Sequence, residues 1–195
     1  MLKRALDILA SGGALVVLSP LIALLALAVR LDSRGPAFFS QERVGRGFRR
    51  FRIWKFRSMA HESAGPLITA SGDARITRVG RVLRRAKLDE LPQFWNVLAG
   101  DMSLVGPRPE LPEYVDLYRD RYRTVLTVRP GITDLASITF RNEEKILSEA
   151  TDPTRQYREV VLPSKLDLAE KYIRTQSFGL DCQILFRTFL VTVKG

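Results

Sequence analysis

The chain has 195 residues, a formal net charge of +10, one cysteine and one histidine. This length suffices for one domain with a hydrophobic core and excludes a pair of full nucleotide-binding domains. A single Cys182 and a single His61, the latter in a polar stretch typical of a surface loop, exclude an intrachain disulfide scaffold, a Cys/His zinc cluster and a tandem histidine metal site.

The first predicted element is an apolar N-terminal segment, residues 4–30, interrupted by Ser19 and Pro20. About 20 apolar residues span a bilayer as a straight helix, and a proline inside a helix bends it. Basic residues flank this segment on both sides, whereas a spanning helix normally has its positive flank on the cytoplasmic side. The pattern favours a re-entrant helix-break-helix in a membrane segment of residues 1–34 over a straight span. A cleaved signal peptide is the third alternative, because Ala26-Leu27-Ala28 has the pattern of a cleavage site.

Positive charge is concentrated between Arg30 and Lys87, where fifteen Lys and Arg residues face four Asp and Glu residues. The excess predicts an acidic partner, which could be nucleic acid, an anionic membrane or a polyphosphate substrate. Gly45 and Gly47, placed between runs of alternating apolar residues, predict a small β-hairpin. Arg46-Gly47-Phe48 begins like an RNA-recognition strand, but arginines follow where small and aromatic residues are required, so the match fails.

The next predicted helix spans Asp73 to Lys87, with an apolar face and several arginines. A second helix is predicted from an Asp-Glu pair, with Asp89 as N-cap, Glu90 as first helical residue and Pro92 in the first turn. The apolar residues of this helix at helical spacing are Leu91, Phe94, Trp95 and Leu98. Because a helix N-terminus attracts anions, the pair is consistent with capping alone or with a phosphate site.

Three further helices are predicted, over Pro112 to Leu126, Leu162 to Arg174 and Phe178 to Val193, with a turn at Arg129-Pro130-Gly131. The last helix is apolar on most sides, as in a buried helix or one that lies in a membrane interface. The predicted fold class is therefore α+β and mostly helical. It comprises an N-terminal re-entrant helix-break-helix, amphipathic interfacial helices and a small β-hairpin.

Four sequence blocks follow one another in a specific order. They are the apolar segment with Ser19-Pro20, KFRSM (residues 55–59), LDELPQFWNVLAGDMSLVGPRP (residues 88–109) and RPGIT (residues 129–133). In this order and spacing they resemble the monotopic polyprenyl-phosphate phosphoglycosyl transferases of the bacterial sugar transferase family, and the resemblance covers nearly the whole chain. It implies that residues 35–195 form a membrane-associated catalytic domain at the cytoplasmic face of the bacterial inner membrane.

The resemblance implies a reaction and its partners. A sugar phosphate passes from a UDP-sugar to polyprenyl (undecaprenyl) phosphate, UMP is released, and glycoconjugate or exopolysaccharide synthesis begins. Mg²⁺ is the implied cofactor, inner-membrane lipid is a partner, and nucleic acid is not.

The resemblance also implies roles for individual residues. Asp89 would attack the sugar-bearing β-phosphate to form a phosphosugar-enzyme intermediate, and Glu90, together with Asp89, would hold Mg²⁺. The residues carried over as substrate or phosphate ligands are Lys55, Arg84, Arg108 and Arg141. For Lys55 and Arg84, a surface ion pair is the structural alternative.

The chain departs from the family pattern after RPGIT, where it continues as DLASITFRNEEK instead of the Gly/Trp-containing stretch and Asn-Gly-Arg of many relatives. Relatives often carry an Asp three residues before a Tyr, but here Ala169 has that position relative to Tyr172. Asp167 lies on a different face of the predicted helix, so its substitution for that Asp stays open. The sequence does not reveal the sugar, the acceptor chain length or the oligomeric state.

Two alternatives to the enzyme remain at this stage. One is a non-catalytic, membrane-peripheral binder of anionic lipid or polysaccharide, and the other is a nucleic-acid binder. Both would use the basic segment without chemistry.

Overall fold

Helices make up most of the chain, and two small sheets lie among them. The computed structural model describes residues 2–60, 69 and 72–193, so the predicted loop at His61 lies outside the described residues. The helices are α1 (Leu2–Val17), α2 (Ser19–Asp32), α3 (Arg78–Arg85), α4 (Gln93–Ala99), α5 (Pro112–Leu117), α6 (Arg119–Val125), α7 (Leu135–Thr139), α8 (Glu143–Ser148), α9 (Pro153–Gln156), α10 (Leu162–Thr175) and α11 (Phe178–Val193). The strands are β1 (Phe38–Val44), β2 (Arg50–Phe56), β3 (Ser103–Val105) and β4 (Gly131–Thr133). The predicted α+β, mostly helical class is confirmed.

The N-terminal apolar segment is bent by 62° between α1 and α2, which confirms the predicted helix-break-helix. Pro20 lies in the first turn of α2, where its missing N–H does little harm. The Ser19 hydroxyl donates to the Val16 carbonyl at 2.8 Å and so satisfies one acceptor at the break. None of the described helices is by itself long and apolar enough to cross a membrane, whereas the bent pair passes that test on length and composition.

Polar side chains fasten α1 to the rest of the protein. Asp7 is buried, and its Oδ1 accepts hydrogen bonds from the Ser103 hydroxyl at 3.1 Å and the Leu104 amide at 3.0 Å. Lys3 Nζ forms an ion pair with Asp181 Oδ2 at 2.5 Å, which joins α1 to the start of α11. Because a buried carboxylate without partners would be costly, Asp7 identifies the face of α1 that packs against the protein.

The β1–β2 hairpin has the predicted form, with antiparallel register from Phe38 opposite Phe56 to Val44 opposite Arg50. Gly47 in the connecting turn adopts a φ of +65°, a conformation that glycine tolerates. The side chains of β2 that point into the core are Phe51, Ile53 and Phe56. The predicted period of two holds for Phe51 and Ile53 and ends there, because the next buried residue is Phe56 and Lys55 is only half-buried.

The helix predicted from Asp73 begins five residues later, at Arg78. Asp73 Oδ1 instead accepts from the Arg75 amide at 3.0 Å in a local turn. The Thr77 hydroxyl then caps α3 by accepting from the Gly80 amide at 3.0 Å. A side-chain cap thus replaces the first predicted turns of the helix.

The helix predicted over Pro112 to Leu126 is broken at Tyr118, whose φ of −120° ends α5 before α6 begins. Tyr114 and Tyr122 are buried on either side of this break. The last two predicted helices are confirmed as α10 and α11, each within one residue of its predicted bounds.

The parallel pairing of β3 with β4 was not predicted. Ser103 pairs with Gly131 and Val105 with Thr133, so the residues after the predicted Arg-Pro-Gly turn form a strand. A Cβ on Gly131 would lie 2.1 Å from the amide nitrogen of Gly106. Only glycine permits this approach, and the two backbones in contact place the residues after β3 beside those after β4.

We expect Gly80→Ala to destabilise the protein by at least about 2 kcal/mol, because a Cβ there would lie 2.0 Å from the Ser58 carbonyl oxygen and α3 would have to shift. Gly179→Ala in α11 is the matched control, since nothing lies within 4 Å of its Cβ position. Both variants gain the same helix propensity. Equal unfolding free energies in denaturant titrations of the two variants would contradict the proposed close contact.

Candidate active site

Glu90 lies between two cations that come from distant parts of the chain. Lys55, near the end of β2, is paired with Glu90 Oε1 at 2.8 Å. Arg108, in the segment after β3, pairs with the same oxygen through Nη2 and reaches Glu90 Oε2 with Nη1 at 3.4 Å. The Glu90 side chain is only 13% exposed, so this cluster is mostly shielded from water.

The two cations decide the charge of Glu90. Burial alone would raise the pKa of Glu90, but the Arg108 guanidinium and the Lys55 ammonium outweigh it and hold that pKa well below its usual range. The attraction of Glu90 likewise raises the pKa of Arg108. Glu90 and Arg108 are therefore ionised at neutral pH. Burial lowers the pKa of Lys55, and the negative charge of Glu90 opposes that shift.

Asp89 is not the predicted N-cap. It lies within a short 3₁₀ turn, Leu88–Glu90, that follows Lys87 in the left-handed conformation at a φ of +56°. The first residue of α4 comes only after Pro92, and the Asp89 side chain caps neither element. The left-handed residue turns the chain before the helix, so the Asp89 carboxylate makes none of the backbone contacts that the capping interpretation required.

The Asp89 carboxylate is buried without a hydrogen bond to one of its oxygens. The residue is 6% exposed, and Oδ1 is sealed from solvent with no hydrogen-bond partner among the described residues. Burial raises the pKa of Asp89; the positive charge of Lys55 opposes this shift, and the negative charge of Glu90 adds to it. An ionised oxygen that is poorly solvated and unpaired is a reactive one.

We expect Asp89→Asn to be at least as stable as the wild type. Its free energy of unfolding should be about 1 kcal/mol higher at neutral pH, because the substitution removes a buried, unpaired charge. The raised pKa sets the sign of the pH dependence. Ionised Asp89 disfavours the folded state above its folded pKa, and this effect disappears as the pH falls toward 3.8, the ordinary value. Denaturant titrations over a pH series measure the difference, and a variant less stable than wild type at neutral pH would contradict the account.

The buried face of α4 differs from the predicted apolar stripe. Trp95 is 60% exposed, whereas Asn96 is buried and forms two hydrogen bonds with one edge of β2. Asn96 Nδ2 donates to the Arg52 carbonyl at 2.7 Å, and Asn96 Oδ1 accepts from the Trp54 amide at 3.0 Å. Asn96 thereby holds β2, and with it Lys55, against the Asp-Glu segment. The only sequence signal for this role was a polar residue directly after Trp95, inside the predicted helix.

Asp134 is a second positioning residue that the sequence did not reveal. Its Oδ2 accepts from the Arg108 amide at 3.0 Å, and its Oδ1 accepts from the Ser137 amide at 2.6 Å as the N-cap of α7. One carboxylate thus fixes the backbone of Arg108 and the start of a helix. The signal was an Asp directly before a helix, immediately after the RPGIT block.

Arg84 adds positive charge near Asp89, where it lowers the pKa of that carboxyl. Its guanidinium pairs with Glu144 and lies 3.5 Å from the Ser58 hydroxyl. Arg84 therefore forms the ion pair that was predicted as the alternative to a phosphate ligand, and its partner Glu144 belongs to α8. It also adds positive charge near Asp89.

Two other residues carried over from the resemblance are placed differently. In the part of the chain that the structure describes, Arg141 forms no hydrogen bond or ion pair with Asp89 or Glu90. Asp167 pairs with Arg121 at 2.6 Å and is 71% exposed, so it does not join the cluster. Ala169 is buried in the core beside it. Asp167 therefore does not supply the missing acidic residue.

The carboxylates fit Mg²⁺ only with help from a substrate. Among residues 2–60, 69 and 72–193, no group of three or more His, Cys, Asp or Glu side chains is arranged to hold a metal ion. Within this described part of the chain, Asp89 Oδ1 has no hydrogen-bond partner, and Glu90 Oε2 has only the 3.4 Å contact with Arg108. Mg²⁺ commonly binds to one or two carboxylates together with substrate phosphates, and this pair fits that mode.

The sequence model of the bacterial sugar transferases matches residues 1–195 of the chain. The chain belongs to the bacterial sugar transferase family. The motif resemblance is thereby confirmed, and the Lys55, Glu90 and Arg108 cluster is the arrangement of charged residues that this family member builds around Asp89.

Several relatives of the chain have names that state an activity or a process. It is 42% identical over 202 residues to an Aeromonas hydrophila protein named UDP-N-acetylgalactosamine-undecaprenyl-phosphate N-acetylgalactosaminephosphotransferase, covering 100% of the chain and 44% of that protein. It is 41% identical to a Caulobacter vibrioides UDP-glucose:undecaprenyl-phosphate glucose-1-phosphate transferase, covering 95% and 67%. It is 42% identical to the Rhizobium leguminosarum exopolysaccharide production protein PSS, covering 96% and 93%. The chain therefore spans less than half the length of the Aeromonas relative.

Proposed function

We propose that the protein transfers a sugar phosphate from a UDP-sugar to polyprenyl (undecaprenyl) phosphate through a phosphosugar intermediate on Asp89. UMP leaves, and the product starts glycoconjugate or exopolysaccharide synthesis. The observation that carries the proposal is the buried, unpaired Asp89 oxygen beside a Glu90 that Lys55 and Arg108 clamp. The names of the Aeromonas and Caulobacter relatives support the same donor and acceptor classes.

In the first step, an Asp89 carboxylate oxygen forms a bond to the sugar-bearing β-phosphorus. The bond from that phosphorus to the oxygen bridging the two phosphates breaks, and the oxygen leaves with UMP. No proton is transferred. Asp89 must be ionised for this attack, so its raised pKa predicts that transfer falls as the pH falls through that pKa.

In the second step, a phosphate oxygen of the polyprenyl phosphate attacks the same phosphorus. The acyl–phosphate bond breaks, the Asp89 carboxylate is regenerated, and the product is a polyprenyl diphosphate sugar. Both steps join two anions, so the barrier consists largely of charge repulsion and alignment.

The cations around Asp89 lower this barrier. Lys55 and Arg108 are fixed by Glu90 before the substrate arrives, so little reorganisation is needed when charge develops on the phosphoryl oxygens. Arg84 supplies a third positive charge, released from Glu144 when a phosphate takes its place. Mg²⁺ held by Asp89, Glu90 and the diphosphate would supply further charge neutralisation.

We also propose a monotopic placement at the cytoplasmic face of the bacterial inner membrane. The bend between α1 and α2 and the basic residues on both flanks support a re-entrant path. Apolar side chains of both elements are exposed, among them Leu9, Val16, Val17 and Leu24. On α11, Phe186 and Phe189 are each 63% exposed, as expected for a helix that lies on a membrane surface.

Single cysteines test the re-entrant path. Leu2→Cys and Arg34→Cys are placed separately in a Cys182→Ala background and labelled in sealed inner-membrane vesicles with an impermeant thiol reagent. Labelling of both from the cytoplasmic side is expected. Labelling from opposite sides would establish a spanning helix and contradict the placement.

Transfer itself is tested with a panel of radiolabelled UDP-sugars, polyprenyl phosphate and Mg²⁺ in detergent. At least one donor should give a labelled lipid and an equal amount of UMP. A membrane-peripheral binder without chemistry would retain lipid and donor and release no UMP from any donor. That result would overturn the proposed function, and the panel would at the same time identify the sugar.

A further inference from the structure

A cavity of about 160 Å³ lies at the turn of the hairpin and is lined by arginines. Arg46 and Arg49 come from the connection between β1 and β2, and Arg129 comes from the segment before β4. Gly100 and Asp101, which directly follow α4, form the opposite wall. Arg129 donates through Nε to the Gly100 carbonyl at 2.8 Å, which orients its guanidinium in the wall.

The cavity is cationic, because three guanidinium groups face one carboxylate. Arg46 and Arg49 are exposed, and within the described chain neither side chain forms a hydrogen bond or an ion pair. Guanidinium groups that line one cavity and have no internal partner in the described chain suit the oxygens of a phosphate group.

This cavity is separate from the active site. Arg49 directly precedes β2, and Lys55 lies near the other end of that strand, so about 20 Å of extended chain lie between them. Glu90 and Gly100 likewise lie at opposite ends of α4, Glu90 before its first residue and Gly100 after its last. Arg46 and Arg49 therefore do not take part in the chemistry at Asp89.

The cavity adjoins the start of α1. Arg4 donates to the carbonyls of Val97 and Leu98 at 2.7 and 3.1 Å, and its Nη2 lies 3.5 Å from the Cβ position of Gly100. In a monotopic arrangement, the first residues of α1 lie at the level of the lipid headgroups. We propose that the cavity binds the phosphodiester headgroup of an anionic phospholipid, an inference that rests on the membrane placement proposed above.

The test is the affinity of the full chain, in neutral detergent, for short-chain phosphatidylglycerol, with short-chain phosphatidylcholine and inorganic phosphate as the other probes. Arg46→Gln/Arg49→Gln should weaken phosphatidylglycerol binding about 25-fold, since each basic residue near an anionic headgroup contributes about fivefold. The matched control is Arg52→Gln/Arg123→Gln, which removes the same charge from exposed positions outside the cavity. The control should change the affinity less than about twofold.

Equal weakening by both double variants would overturn the proposal, because it would show a general charge effect. Inorganic phosphate that binds as tightly as phosphatidylglycerol and is lost in the cavity variant would also overturn it, in favour of a soluble ligand. Sugar-phosphate transfer in neutral detergent should be the same in the cavity variant and the wild type. Absence of transfer in the wild type would instead count against the proposed function and leave the affinity comparison intact.

Discussion

Asp89→Asn is expected to lower sugar-phosphate transfer by at least about 10³-fold, since an amide cannot form the acyl phosphate that the first step requires. The variant keeps the size of the side chain and, at neutral pH, the stability of the fold. The loss should therefore appear in UMP release as well as in lipid product. Initial rates with saturating donor measure both.

Asp167→Asn is the matched control for this loss. It makes the same chemical change at an exposed carboxylate that pairs with Arg121 and not with the cluster. We expect transfer within about twofold of wild type, since an exposed ion pair contributes at most about 1 kcal/mol to stability. A comparable loss in both variants would show that the loss does not reflect a specific catalytic role of Asp89. Normal UMP release by Asp89→Asn would remove it as the nucleophile.

Glu90→Gln is expected to have the opposite effect on stability from Asp89→Asn. It leaves Lys55 and Arg108, which are 23% and 31% exposed, beside each other without the carboxylate that joins them. Breaking a fully buried pair costs about 3–5 kcal/mol, and this partly buried cluster should lose less. Transfer should also fall, because the two cations repel each other out of the positions that receive the phosphate. Unfolding free energies and transfer rates are measured on the same preparations.

The lowered pKa of Glu90 gives this stability difference a defined pH dependence. A carboxylate whose folded pKa lies below its unfolded value, here 4.5, stabilises the fold above the unfolded value. The stabilisation is lost as the pH falls through the folded pKa. The gap between wild type and Glu90→Gln should thus be full at neutral pH and shrink as the pH falls below 4.5 toward the folded pKa.

A double-mutant cycle with Arg108→Gln is the control for the Glu90 prediction. Once Arg108 is replaced, Glu90→Gln should cost less, with a coupling of at least about 1 kcal/mol. Strictly additive effects of the two substitutions on the free energy of unfolding would contradict the pairing of Arg108 with Glu90.

The elements that the sequence predicted well depend on local signals. Pro20 bends the N-terminal segment regardless of the tertiary contacts that the helix makes. Gly47 supplies the positive φ that closes the hairpin. The pairing of β3 with β4 depends instead on contact between Gly106 and Gly131, which are far apart in the sequence. No local pattern encodes which glycine meets which.

The site was predictable as a set of residues and not as an arrangement. The motif blocks named Asp89, Glu90, Lys55 and Arg108, and the structure brings these four together. The sequence could not show that Lys55 and Arg108 both pair with Glu90, because this pairing depends on burial and on the path of the chain. The left-handed Lys87, which removes Asp89 from its predicted capping position, is equally a product of tertiary packing.

The most direct test of the account is the mass of the protein after incubation with its donor sugar nucleotide and Mg²⁺, with no lipid acceptor. We expect an added sugar phosphate, located by peptide mapping on Asp89, that disappears when polyprenyl phosphate is added. UMP release with no adduct on the protein, or an adduct on any other residue, would contradict it.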